Sequence, residues 1–475
     1  MKGKRVALLA VSAALMMTGC QTKKELLNPD DPTTIQVWHY YNGAQQDEFN
    51  NLVEKFNKTE GKDKGIIVQA MSQGTISDLE TNVLDAINGK AGADELPNIF
   101  AAYGDTAYEV DEMGYAVDLS KYFSKEELDQ YIDGYIEEGR FSGKDTLKIF
   151  PVAKSVELMM LNKTDWEKFA LATGADTSDL STIEGVTETA KKYYEWTDEQ
   201  TSQANDGKAF FGRDAFANYM ISGYRQLATD IFSKNGDEVK LNFEEDVAKK
   251  LWDNYYIPYI RGYFASSGKF RSDDIKIGNI LACVSSSSSV TYFPTQVTLD
   301  DEESYPIELE VLENPKFEGG GDYQIQQGAG MLVLKSDEKE QLASAEFLKW
   351  FTDDEQNISF STASGYLPVK KSANQIESVE KVTKVDKEVK DVLDTSFQMI
   401  RENNMYTSVP FSNGTSAREV LENTMSDLAK EDRKTVQKNL ESGMSLEEAV
   451  SYFETEDYFK AWYEDTKAQL ETLVK

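Results

Sequence analysis

An α/β fold in two lobes is what this sequence predicts, and three observations carry it. From Thr33 onward, short strand-like runs alternate with capped amphipathic helices, the βαβα rhythm of a layered fold with a largely parallel sheet. Strand-rich blocks come early, a mostly helical block rich in Tyr, Phe and Trp follows from 165 to about 265, and strands then return. A chain that leaves one lobe and comes back to it produces that order. With 475 residues, 40% of them hydrophobic, the chain has material for more than one core. Two lobes joined by several crossings bury a ligand well, because pockets form preferentially at domain interfaces.

The first strand is "TTIQVW", in which Ile35 and Val37 alternate with polar neighbours. Phe49, Leu52, Val53 and Phe56 then recur at i, i+3, i+4, i+7, one face of a helix with Gly61 beyond its end. "IIVQAM" is the second strand, and Ser77 with Glu80 reads as a capping box for a helix carrying Leu79, Val83 and Ile87. "PNIFAAY" is the third strand. Ser124 with Glu127 opens a helix bearing Leu128, Tyr131, Ile132 and Tyr135, and "LKIFPV" and "ELMMLN" add strands. After the helical block come "NILACV", "IELEVL" and "AGMLVLK". Ser336 caps a helix with Leu342, Ala345, Leu348 and Phe351, Thr352 and Glu355 box the next, and Ser445 with Glu448 boxes one of the last. No internal repeat is visible.

The termini and charge narrow the function. Lys2, Lys4 and Arg5 precede an apolar run, Val6 to Met17, too short to span a bilayer but suited to a secretory signal. The run ends in "MTGC", which resembles a bacterial lipobox with Met17 where leucine is usual; residues 1–19 are then a lipoprotein signal peptide and Cys20 the lipidated first residue. "QTKKELLNPDDP" completes a tether over 20–32. Cys283 is the other cysteine, so with Cys20 carrying lipid no internal disulfide can form. The formal net charge of −33 (50 basic against 83 acidic side chains) repels nucleic acid and anionic membrane surfaces.

Enzyme signals are mostly missing. His39 is the one histidine, which excludes a histidine metal cluster, and no nucleophile elbow, P-loop, CxxC or dinucleotide fingerprint occurs. Binding signals are better. A sugar presents an apolar ring face and a belt of hydroxyls, so its site needs flat aromatics beside hydrogen-bonding groups. "WHYYNG" supplies Tyr40, Tyr41 and Asn42 beyond the first strand, "MSQGT" supplies Ser72 and Gln73 beyond the second, and "AAYGDT" supplies Tyr103 and Asp105 beyond the third. The carboxyl ends of strands are where ligands sit in open α/β sheets. The serine run, with Ser286 and Ser287, offers hydroxyls after a later strand. Core roles for Trp38 and Tyr40, and a plain surface turn for the serines, stay open on these grounds.

Together these segments resemble the extracellular solute-binding proteins of bacterial ABC importers, the large carbohydrate-binding family 1 group. The resemblance runs over most of the chain from Thr33, through "VWHYYNG", "PNIFAAYGDTAYEVDEMGYAVDLSKYF", "FPVAKSVELMMLNK", "SSSSS", "PFSNGTSARE" and, most specifically, "QQGAGMLVLKSDEKEQLASAEFLKWFTDDEQNISFSTASGYLPVKKSA". It implies a type II periplasmic-binding-protein-like fold with a hinge and an interlobe cleft. One lobe would hold 33–150 plus about 312–368, the other 151–311 plus about 369–475. It implies a monomeric lipoprotein on the extracytoplasmic face of the cell membrane that captures a sugar or oligosaccharide, closes on it and hands it to permease subunits, with no catalysis and no cofactor. Tyr366, on the turn punctuated by Gly365 and Pro368, would point at the ligand. Lys154, Ser155 and Glu157 would lie at a lobe crossing, Gln327, Gly328 and Gly330 where backbone approaches ligand, and Arg418 on a loop facing the cleft. A glycerol phosphodiester would need positive charge, for which Arg418, Lys154 and Arg225 are the candidates, but the surrounding sequence is strongly acidic, so a neutral saccharide is favoured. The alternatives are a phosphodiester or peptide receptor and a surface enzyme acting on glycans.

Overall fold

The apolar runs pair into two sheets, each with its own core, in the computed structural model of the chain, which describes residues 26–236, 238–299 and 303–474. The first sheet has the strand order Ile66–Ser72, Thr33–His39, Ile99–Ala102, Gly330–Val333, Ile149–Phe150. Its first three strands are parallel, with Thr33 opposite Ile66 and Val37 opposite Ile99, and Gly330–Val333 runs antiparallel to both neighbours. The second sheet is mixed rather than parallel. Its central strand Ser155–Asn162, buried along its whole length, is antiparallel to Ala282–Ser286, Leu309–Glu313 and Tyr323–Gln327.

Helix faces follow their periodicity. Gly43–Lys58 buries Phe49, Leu52, Val53 and Phe56. Gly61 does not end that helix; it lies in the next short one, Glu60–Lys64, and the left-handed stop is Gly65 at φ 73°. Several caps move by a residue or two. The helix Ile76–Ile87 is boxed by Thr75 and Asp78 instead of Ser77 and Glu80, which leaves Glu80 to accept from Thr106 Oγ1 at 2.7 Å. Asp337, not Ser336, caps Glu338–Phe351. Thr352 is fully buried, donating to Leu348 O and bonded to the Tyr131 hydroxyl at 2.7 Å, so the helix Asp354–Ser364 starts from Asp353 without a side-chain cap. The helix opened by Ser124 and Glu127 closes after Leu128, and Asp133–Glu138 starts afresh. Ser445 and Glu448 form the predicted box.

Three passages between the sheets lie side by side. Lys154 and Leu367 exchange backbone hydrogen bonds (3.1 and 2.6 Å), and the Lys154 ammonium donates to Gly328 O at 2.7 Å and to Glu138. The return to the first sheet, expected at about 312, comes after Gln327, because Leu309–Glu313 and Tyr323–Gln327 both pair with Ser155–Asn162. Part of the expected tether packs on the first lobe: Leu27 lies against its core and Asp31 O accepts from Lys339 at 3.1 Å. The expected signal peptide and Cys20 lie outside the described residues. Among the described residues, no helix is long and apolar enough to cross a membrane.

Candidate ligand-binding site

Where the lobes face each other, the structure holds a cavity of about 510 Å³. The first lobe contributes Glu80 from Ile76–Ile87, Tyr103 and Asp105 from the start of Gly104–Glu112, and Glu138. The second contributes Asn218 and Ile221 from Phe216–Leu227, the segment Thr407–Phe411, and Arg418 from the long helix Gly414–Glu441. Gln326, Gln327 and Gly328 cross behind it. Of the residues singled out from sequence, Tyr103, Asp105, Gln327, Gly328 and Arg418 therefore share one cavity.

A tyrosine cluster adjoins these residues. The Tyr40 hydroxyl lies near those of Tyr103 and Tyr366, close enough to act on both phenols, and Tyr366 also neighbours Gln45. Burial pushes all three phenols up, Tyr103 to about 12, so they stay neutral and keep a proton to donate. Tyr366 follows the left-handed cap Gly365 (φ 71°), and its ring lies against Gly328, where a Cβ would come within 3.3 Å of Tyr366 Cε1. Gly328 itself has φ 103°, a conformation only glycine adopts at no steric cost.

Other expected residues support the cavity from behind. Glu157, 2% exposed, accepts from Arg213 at 3.0 Å and from Asn218 Nδ2 at 2.8 Å, and Asn218 Oδ1 in turn accepts from Arg418. Burial raises the Glu157 pKa, with Arg213 opposing. Lys154, 1% exposed, is committed to Glu138 and Gly328 O, and buried Ser155 pairs with Gln327 in the sheet. Ser287 is buried and accepts from Val156 N, while Ser286 bonds Ser288. The serine turn backs onto Gly365, where a Cβ would come within 3.0 Å of Ser288 O.

A third group does not line the cavity. Tyr41 is core, its ring packed on His39, Phe49 and Phe360. Asn42 is exposed at the start of Gly43–Lys58. Ser72 donates to Tyr41 O at 3.3 Å, and Gln73 accepts from Asn82 at 2.8 Å.

Two features went unread in the sequence. Gln326 Nε2 donates to Gly134 O (2.9 Å) and to Glu138 (2.8 Å), which leaves Gln326 Oε1, like Gln327 Oε1, buried without a partner among the described residues. Asp105 accepts from Phe411 N at 3.2 Å across the lobes and packs against Gly414; burial lifts its carboxyl to about 6. Nothing in a helical block rich in aromatics marks Asn218 or Ile221, and the spacing of Ser77 and Glu80 points Glu80 to a cap rather than to the cavity.

The family described as bacterial extracellular solute-binding protein matches residues 51–389. No curated protein matches the chain. Among solved structures, a cyclic alpha-maltosyl-1,6-maltose binding protein from Arthrobacter globiformis superposes with a TM-score of 0.66 at 16% identity, over 93% of this chain and 100% of that one. UgpB from Mycobacterium tuberculosis, in complex with glycerophosphocholine, gives 0.65 at 14% identity over 93% and 100%. The maltose/maltodextrin-binding domain MalE from Bdellovibrio bacteriovorus, bound to maltotriose, gives 0.61 at 14% over 93% and 99%. These likenesses establish a shared two-lobed fold.

Proposed function

The chain belongs to the bacterial extracellular solute-binding proteins, and from that membership we propose that it is the carbohydrate-capturing subunit of an ABC importer, held at the extracytoplasmic face of the membrane by lipid on Cys20. The observation that carries this reading is the interlobe cavity, where neutral phenols and amide groups adjoin backbone fixed by Gly328. That mixture suits a ring with an apolar face and a belt of hydroxyls. Fold-sharing proteins whose names record maltotriose and a cyclic maltosaccharide support the ligand class. Ligand contacts to both lobes exist together only when the lobes meet, so binding draws an open–closed equilibrium toward closure about the three passages. The closed form is what a permease would receive, from a monomer that catalyses nothing and needs no cofactor. We assign the ligand contacts to Tyr40, Tyr103, Gln327, Gly328, Tyr366 and Arg418.

The test is a thermal-shift screen of the chain from Gln21 onward against mono- and oligosaccharides, sugar phosphates and glycerol phosphodiesters. A ligand that binds only the folded state raises the melting temperature when well above its Kd. A shift with one saccharide family is expected. Shifts confined to phosphate compounds would replace this reading with the phosphodiester one, which the glycerophosphocholine-bound relative of the fold favours.

A further inference from the structure

The hydrogen-bonding inventory of the cavity is lopsided. Four carboxylates line it, those of Glu80, Asp105, Glu138 and Glu419, against one guanidinium among the described residues, that of Arg418. Arg418 is already compensated, because it donates to Asn218 and its charge acts on both Asp105 and Glu157. Glu138 is likewise engaged, by Lys154 and Gln326. Glu80 and Asp105 have no cationic partner of their own in a salt bridge among the described residues. The Glu80 charge acts on Asp105, and burial raises both carboxyls.

A second observation points the same way. Gln326 is 4% exposed, and its orientation follows from its bonds: the amide nitrogen must be the atom that faces Gly134 O and Glu138, since both are acceptors. Its Oε1 is thus an acceptor with no donor among the described residues, as is Gln327 Oε1, and both residues belong to the cavity wall. A buried acceptor left unmet costs free energy, so a wall of this kind is complete only when something brings donors to it. Hydroxyls bring one donor each. A protonated amine brings three and also a charge.

We propose that the cavity takes a saccharide bearing a protonated amine, with the ammonium facing Glu80 and Asp105 and the sugar hydroxyls donating to Gln326 and Gln327. The inference rests on the carbohydrate reading and narrows it. An anionic ligand is disfavoured by the same groups, since a phosphate would meet the carboxylates before it met Arg418.

The experiment is titration calorimetry on the chain from Gln21 onward. Its probes are a matched panel of two- to four-unit oligosaccharides, each as free amine, N-acetyl and hydroxyl forms. The amine form is expected to bind about tenfold or more tighter than its matched partners at low ionic strength, with the preference shrinking as salt rises. Glu80→Gln keeps an acceptor for Thr106 and removes the charge, and it should cut the preference to roughly threefold or below. Equal binding of hydroxyl and amine forms overturns the inference and leaves the carbohydrate reading standing. An undiminished preference in a folded Glu80→Gln variant overturns it as well. Failure of every saccharide to bind overturns the carbohydrate reading, and the inference falls with it.

Discussion

Gly414→Ala should hold the lobes apart without harming either one. Gly414 opens the long helix Gly414–Glu441 of the second lobe and lies against the Asp105 carboxylate of the first. A methyl there would stand 2.7 Å from Asp105 Oδ2 and nearer still to Oδ1, where ordinary contact begins at 3.4 Å. Either the lobes separate locally by roughly 1.5 Å or Asp105 swings away, and both lose its 3.2 Å bond from Phe411 N. A hydrogen bond to a charged group contributes about 1.5–3 kcal/mol, so closure and ligand affinity should weaken about 10- to 100-fold. The helix itself gains, since alanine is favoured over glycine by up to about 1 kcal/mol, and the backbone at 414 is not in the left-handed region. The melting temperature without ligand should therefore hold or rise. Calorimetry gives the affinity, and small-angle scattering with and without ligand gives the closure. Asp105→Ala removes the atoms the methyl would strike, so combining it with Gly414→Ala should bind like Asp105→Ala alone. Wild-type affinity and wild-type compaction in Gly414→Ala would refute the reasoning.

Tyr366→Ala should weaken ligand binding by roughly an order of magnitude through lost stacking and hydrogen bonding while the fold stays intact; unchanged calorimetric affinity removes Tyr366 from the site. His39 is buried, its Nδ1 accepting from Tyr41 N at 3.1 Å, and burial lowers its pKa to about 4. A lowered folded pKa makes the stabilisation present above the imidazole's ordinary 6.5 and lost as pH falls toward 4, a change of roughly 3 kcal/mol. The stability lost between pH 7 and pH 4, read from denaturant titrations, should be larger in wild type than in His39→Gln by that amount, and parallel curves of stability against pH would contradict it. Cys20→Ser should leave an unprocessed precursor or release the protein to the medium; membrane retention with normal processing, seen by fractionation, rules out lipidation there.

Much of the fold was legible because strands and helix faces are local patterns. Phe49, Leu52, Val53 and Phe56 point inward because they share one side of one helix, whatever lies beyond. Caps were legible only to a residue or two. Asp78 beside Thr75, and Asp337 beside Ser336, compete with the predicted capping residues on equal chemical terms, and tertiary contacts decide. Lobe membership was hardest to read. Nothing within "IELEVL" or "YQIQQ" says which sheet they join; that depends on an uncommitted edge of Ser155–Asn162, far away in sequence.

The same limit explains which site residues were placed well. Tyr103 and Asp105 line the cavity because a strand's carboxyl end is a position the local pattern reveals. Lys154 and Glu157 belong to the site's surroundings, but their charges are spent inward, on Glu138 and Arg213. Sequence places a charge along the chain and cannot say which way the side chain faces. A buried pair of this kind adds little net stability, yet it leaves a large penalty if one partner goes. Its value here is geometric. Glu157 holds Asn218, which holds Arg418 at the cavity, while Lys154 ties its own passage to the other two through Gly328 O and the Leu367 backbone. A ligand then meets groups already in position, and the ordering cost that would reduce its affinity is met when the chain folds.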